Sequence, residues 1–152
     1  MADEVKFTGW DKARAKLKAL PDAVAQAVMD GMEKSAADIV ATMKGFVPVD
    51  SGTLRDSIGW TWGDVPTGSK PVFKSKPVRR GSQKVFLTIY AGSKDAFYAR
   101  WVEFGTSAHT AGGKFKGAMH PGTRAQPFFY PAWRLKKKKA KSAVARAVNK
   151  KI

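Results

Sequence analysis

The sequence contains no cysteine, which excludes disulfides, zinc–cysteine centres and thiol catalysis. Its 2 histidines, His109 and His120, lie in a glycine-rich stretch and form no His-Glu-x-x-His pair or comparable ligand set. There is no Gly-x-Ser-x-Gly elbow, no phosphate-cradling Gly-x-x-x-x-Gly-Lys loop and no dinucleotide fingerprint. Asp50 and Ser51 beside Arg55 have no base placed next to them, and helix capping explains them more simply. The expectation is a protein that is not an enzyme, with no catalytic residue, no cofactor and no metal. Acidic residues are scarce, 12 Asp and Glu against 28 Lys and Arg, a formal net charge of +16. A free chain with that imbalance repels itself and attracts polyanions, so an acidic partner is implied: DNA, an acidic protein surface or an anionic membrane. No apolar run approaches the length of a membrane span. Met1-Ala2-Asp3-Glu4 lacks the basic and apolar opening of a signal peptide. The expectation is a chain made in a cytoplasm and independent of membranes.

What is present is enough for one domain. The 152 residues are 43% hydrophobic and 26% charged, a globular composition with a modest core. Val5-Lys6-Phe7 alternates as a short strand, and Thr8 sits where a helix N-cap would, ahead of Trp10. Pro21 interrupts that helical pattern and suits the first turn of a new helix. From there Val24, Val28, Met32, Ala36, Ile39, Val40 and Met43 recur at three- and four-residue steps, predicting an amphipathic helix from Pro21 to Lys44. Pro48 ends it. Asp50 or Ser51 can cap a short turn that follows, and Ile58, Trp60 and Trp62 alternate as a strand.

Gly63 to Ser82 holds Pro66, Pro71 and Pro77 with Lys70, Lys74, Lys76, Arg79 and Arg80, and reads as a long basic loop or protruding hairpin arm. Val85, Leu87, Ile89 and Ala91 form the clearest strand, expected to pair antiparallel with the Ile58–Trp62 strand. Tyr98 to Phe104 fits a short helix closed by Gly105. Gly105 to Gln126 has little periodicity. Two such stretches of about twenty residues are unusual in a compact domain and suggest segments ordered by a neighbour. A last helix carries Phe128, Phe129, Trp133 and Leu135, then Lys136-Lys137-Lys138-Lys139, a turn that cannot be buried in a monomer. The tail is expected to project or to dock on another chain. Residues 1–135 are thus expected to form a single domain, with residues 136–152 a basic helical extension.

Three phrases stand out in order: Val47-Pro-Val-Asp-Ser-Gly-Thr-Leu-Arg-Asp-Ser-Ile58, Tyr98-Ala-Arg-Trp-Val-Glu-Phe-Gly-Thr106 and Ala125-Gln-Pro-Phe-Phe-Tyr-Pro-Ala132. With a long amphipathic helix before them and a basic helix after, they resemble the tail-component family of tailed phages, which includes lambda minor tail protein Z-like tail-completion and head–tail joining proteins. The resemblance runs from about Val5 to about Val148. Its motif positions here are Pro48, Asp50, Gly52, Leu54, Arg55, Ser57, Glu103, Phe104, Gly105, Thr106, Gln126, Pro127 and Phe128.

The resemblance implies an α+β subunit, a small mostly antiparallel sheet packed on the long helix, with a basic C-terminal helix and two long loops. It also implies a non-catalytic homo-oligomer, a hexameric ring in the head–tail connector, neck or tail-completion layer of the virion. Such a ring meets neck, tail-terminator or tail-tube proteins, and DNA passes through its central channel. Residue by residue, Pro48 stops the helix, Asp50 caps the turn, Leu54 and Ile58 anchor it, and Arg55 is free to pair with a carboxylate such as Glu103. Gly105 closes the short helix, and Pro127 opens the last one. The segments Asp64–Ser82 and His109–His120 are longer and more basic than the motif needs.

Trp60, Trp62, Trp101 and Trp133 with 9 Phe are mostly expected in the core, but Phe128-Phe129-Tyr130 and Trp133 surround a helix start, and that surplus suggests an interface. Arg79, Arg80, Trp133, Lys136, Lys137, Lys138, Lys139 and Lys141 are the candidates for contacts with a neighbour, DNA or an acidic partner. The other reading is a small basic nucleic-acid-binding protein using the lysine-rich helix. Against it, no helix-turn-helix, zinc finger or RNA-binding aromatic signature is legible.

Overall fold

The computed structural model describes residues 10–151, with side chains from Pro21 onward. The Val5–Phe7 strand and the Thr8 cap lie outside the described residues. The chain is α+β: two long helices packed together, with small antiparallel sheets against them.

Helix α1 runs from Trp10 to Phe46 without a break, with Pro21 inside it. The expected new start at Pro21 is therefore a correction. A proline removes one backbone hydrogen bond, and in a helix of 37 residues the many remaining bonds and the packing of its apolar stripe outweigh that loss. Ala36, Ile39, Val40 and Met43 from that stripe are buried, together with Ala27 and Met29.

After Pro48 comes α2, Thr53–Asp56, entered through Gly52 at φ 85. The N-cap residue is Gly52, so neither Asp50 nor Ser51 occupies the cap; the Ser51 hydroxyl accepts the Thr53 amide from one position earlier, at 3.4 Å. Strand β1, Gly59–Trp62, follows, then β2, Lys70–Lys74, β3, Val78–Arg80, β4, Gln83–Val85, and β5, Leu87–Ala91. The main sheet has the order β1-β5-β2, with Trp60 opposite Ile89 as expected of the β1–β5 pair. The basic stretch from Gly63 to Ser82 is more ordered than a loop. Its first half joins the sheet as β2, where a register irregularity between Pro71 and Phe73 accommodates the proline. Its second half forms the β3–β4 hairpin, which lies against α1 instead of protruding.

Helix α3, Ala99–Phe104, is short and ends at Gly105. The glycine-rich stretch also folds on itself. Strands β6, His109–Thr110, and β7, Met119–His120, pair around a single 3₁₀ turn at Gly113–Phe115. Every residue from Gly112 to Pro121 is exposed, so this hairpin does stand off the body.

The last element is α4, Phe129–Asn149. Pro127 falls before its N-cap residue, and Pro131 occupies the first turn, where a missing amide hydrogen leaves no helical bond unmade. The lysine-rich half of α4 neither projects nor waits for another chain: α4 lies along α1, the most extensive contact between any two elements. The approach is close, since a Cβ on Gly31 would lie 3.1 Å from the Val144 Cα. Phe128, Met43 and Ile89 are the largest fully buried side chains, and they mark where α4, α1 and the sheet meet.

Candidate assembly surface

In α3 the helical repeat divides six residues cleanly. Ala99 and Glu103 are buried and Val102 half-buried, while Arg100, Trp101 and Phe104 face out. A buried glutamate requires partners, and Glu103 finds them at the start of α4. Its Oε2 accepts the amides of Phe128 at 2.7 Å and Phe129 at 2.9 Å, and its Oε1 accepts that of Tyr130 at 3.1 Å. The first turn of α4 has no capping side chain of its own. A carboxylate from another helix satisfies its orphan donors and sits at the positive end of its dipole. The expected Arg55–Glu103 pair is thereby overturned. Arg55 lies on the exposed side of α2 and contacts Asp56 at 3.4 Å, while the short α3 leaves Glu103 pointing at backbone amides.

The neighbouring motif residues complete this junction. The Val102 carbonyl accepts the amide of Gln126 at 2.8 Å, and the backbones of Thr106 and Thr123 bond reciprocally at 3.0 Å. Their hydroxyls meet at 2.9 Å. Ser57 ties the α2 turn to the sheet: its hydroxyl donates to the Leu54 carbonyl at 2.6 Å and accepts the Gly92 amide at 3.1 Å. Leu54 is buried and Pro48 half-buried. The second and third phrases are therefore one hydrogen-bonded junction, while the first is tied separately to the end of β5.

The outer side of that corner is apolar. Phe97, Trp101, Phe104 and Tyr130 are 66%, 51%, 60% and 44% exposed. Phe97 meets Trp101 edge-on with centroids 5.6 Å apart, and Phe104 lies 6.0 Å from Tyr130. A cleft of about 450 Å³ opens between them and β2, and another of about 760 Å³ between α3 and the base of the β6–β7 hairpin. His109 and His120 line the latter, stacked with centroids 5.0 Å apart. Among the described residues, no group of three metal-ligating side chains comes together. Of these aromatics, Tyr130 belongs to the surplus expected at an interface and Phe104 to the motif positions, whereas Trp101 is expected mostly as core and Phe97 has no signal beyond its type.

The basic candidates divide. Lys136 and Lys139, one helical turn apart, reach the Asp38 carboxylate of α1 at 3.0 and 3.1 Å. The hydrogen bond from Lys136, then that from Lys139, hold the Asp38 carboxyl below the usual carboxylate range. Lys137, Lys138 and Lys141 are exposed. Arg79 and Arg80 are exposed on β3, and Arg80 lines a small cleft with Asp22 and Gln26 of α1. Trp133 is half-buried, its ring 4.3 Å from that of Phe73. Because folding depresses the Asp38 pKa, its contribution is complete above the unfolded value of about 3.9 and disappears as pH falls through the folded value. With these groups partly exposed, Asp38→Asn is expected to lower stability by about 1 kcal/mol at neutral pH. In thermal melts the gap between the two proteins should close on acidification from about pH 5 to about pH 2. A gap of constant size would refute the assignment.

No curated protein and no solved structure matches the chain. Residues 11–105, well over half of it, match the family of bacteriophage HK97-gp10-like tail components.

Proposed function

We propose, from the premise that this chain belongs to the bacteriophage HK97-gp10-like tail-component family, that it is a ring-forming subunit at the head end of a phage tail. In this reading it joins capsid to tail as a connector, neck or tail-completion layer, most simply as a hexamer. The observation that supports it is the aromatic corner. Four large rings are exposed together, Phe97 just ahead of α3, Trp101 and Phe104 on it and Tyr130 in the first turn of α4, on a junction held by the Glu103 carboxylate. A monomer gains nothing by exposing that area, whereas a second copy covering it supplies the aromatic anchors of an interface.

The mechanism is geometric rather than chemical. Aromatic seams set the packing between copies, and the protruding β6–β7 hairpin reaches an adjoining layer. The charge excess of each copy is multiplied in a ring, so anions must lie close by. Passing DNA in the lumen and acidic neck, tail-terminator or tail-tube proteins are the partners proposed. The alternative, a nucleic-acid-binding protein working through the lysine-rich helix, is weakened by the engagement of Lys136 and Lys139 with Asp38.

Mass photometry at low and moderate salt tests the proposal. The chain should form a closed ring of one size, and Trp101→Asp should leave only monomer, because losing a central aromatic anchor removes about 2 kcal/mol or more per interface. The variant should remain a cooperatively folded monomer in chemical denaturation, the side chain being half exposed in the isolated subunit. A variant that still closes into rings, or a parent that stays monomeric throughout, would overturn the reading.

A further inference from the structure

A second surface lies away from the aromatic corner. Between α1, α4 and the end of β2 runs a cleft of about 760 Å³, within the size range of ligand sites. Its floor is apolar and comes from all three layers: Ile39 of α1, Phe73 of β2, Ile89 of β5 and Trp133 of α4. Its rim is basic. Lys74 and Lys76 stand on one side and Lys137 and Lys141 on the other, and among the described residues no acidic side chain lines it. Lys74 also sits 3.6 Å over the Phe86 ring, while Lys76, Lys137 and Lys141 are exposed.

The chemistry of this cleft selects its occupant. A strip of apolar floor between two cationic banks fits a segment that carries apolar side chains along one face and carboxylates along its flanks. A second copy of this chain is a poor candidate, because a cleft banked by lysines calls for a carboxylate-rich segment and this chain carries 12 Asp and Glu against 28 Lys and Arg. Duplex DNA matches the banks but has no apolar face to desolvate the floor. We propose that this cleft receives an acidic amphipathic segment of a different protein, a neighbour in the assembled tail. The identity of that neighbour rests on the tail-component reading; the recognition chemistry does not. Apolar burial against Phe73 and Trp133 supplies affinity, and the lysine rim sets orientation and speeds encounter.

Fluorescence anisotropy with a labelled peptide of alternating glutamate and leucine tests the inference on the full chain. A peptide with lysine replacing every glutamate, phosphatidylglycerol vesicles and a short DNA duplex serve as comparison probes. The acidic peptide should bind and quench Trp133, weakening as salt is raised, and the lysine peptide should not. Lys137→Glu/Lys141→Glu should weaken binding by about tenfold or more without changing the circular dichroism melt, since both side chains are exposed. Trp101→Asp, which separates the copies in the ring reading, should bind the peptide as the parent does, so failure of one proposal leaves the other measurable. Equal binding of both peptides, binding unaffected by charge reversal, or vesicles or duplex displacing the peptide from the cleft would each overturn the inference.

Discussion

Glu103→Ala is expected to destabilise the subunit by about 3 kcal/mol, a drop in melting temperature of roughly 6–12 °C for a chain of this size. One carboxylate holds three successive amides at the start of α4, and Glu103 is only 7% exposed. Alanine leaves at least two of those donors in a dry environment with no replacement, because neither Gln126, Pro127 nor Phe128 offers a capping side chain to them. Glu103→Gln keeps the acceptor oxygen but loses the charge and one acceptor, so about half the effect should remain. Arg55→Ala should leave the melt within about 0.5 kcal/mol of the parent, because its partner Asp56 is exposed. Chemical denaturation of the three variants checks the ranking. Parity of Glu103→Ala with Arg55→Ala would show that the carboxylate does not cap α4.

Gly105→Ala is the second large effect, about 3 kcal/mol or more. At φ 70 and ψ −179 the residue occupies a region essentially reserved for glycine. A Cβ there would also stand 2.6 Å from the Thr123 carbonyl oxygen and 2.8 Å from the Ala125 nitrogen, both main-chain atoms that cannot rotate aside. The substitution therefore prises the base of the β6–β7 hairpin off α3. Hydrogen exchange should report it locally, as lost protection at the Thr106 and Thr123 amides, which bond across that base. Gly113→Ala is the matched control: it also has positive φ, but the space around it is open, so only the backbone strain of about 1 kcal/mol applies. Equal behaviour of the two glycines would contradict the close approach at Gly105.

Elements built on periodicity were legible in the sequence. The stripe from Ala36 to Met43, the alternation of Leu87, Ile89 and Ala91, and the helix closed by Gly105 are local patterns, and local patterns survive folding. What escaped was decided across the chain. Pro21 looked like a boundary because a single proline disfavours a helix locally, yet the packing of the long helix as a whole prevailed. The lysine turn stays largely exposed, as four charges in a row require, but only the opposing helix shows that Asp38 engages two of them and seats α4 on α1. Glu103 was the informative miss. The start of α4 has no serine, threonine, asparagine or aspartate at its cap, a deficit visible in the sequence that calls for a donor-satisfying group from elsewhere. The one glutamate in the middle phrase could have been matched to it.

The pairing of α1 with α4 joins the first element of the described fold to the last. A ribosome delivers α1 well before α4, so the long helix emerges with an apolar face whose helical partner has yet to be made. The sheet alone can shelter only part of that face in the interval. The subunit thus reaches its closed form late, and copies interrupted before α4 lack both the seat for the Glu103 carboxylate and half of the lysine-rimmed cleft. The seating of the Glu103 carboxylate is in this way tied to having been read through to the lysine-rich helix.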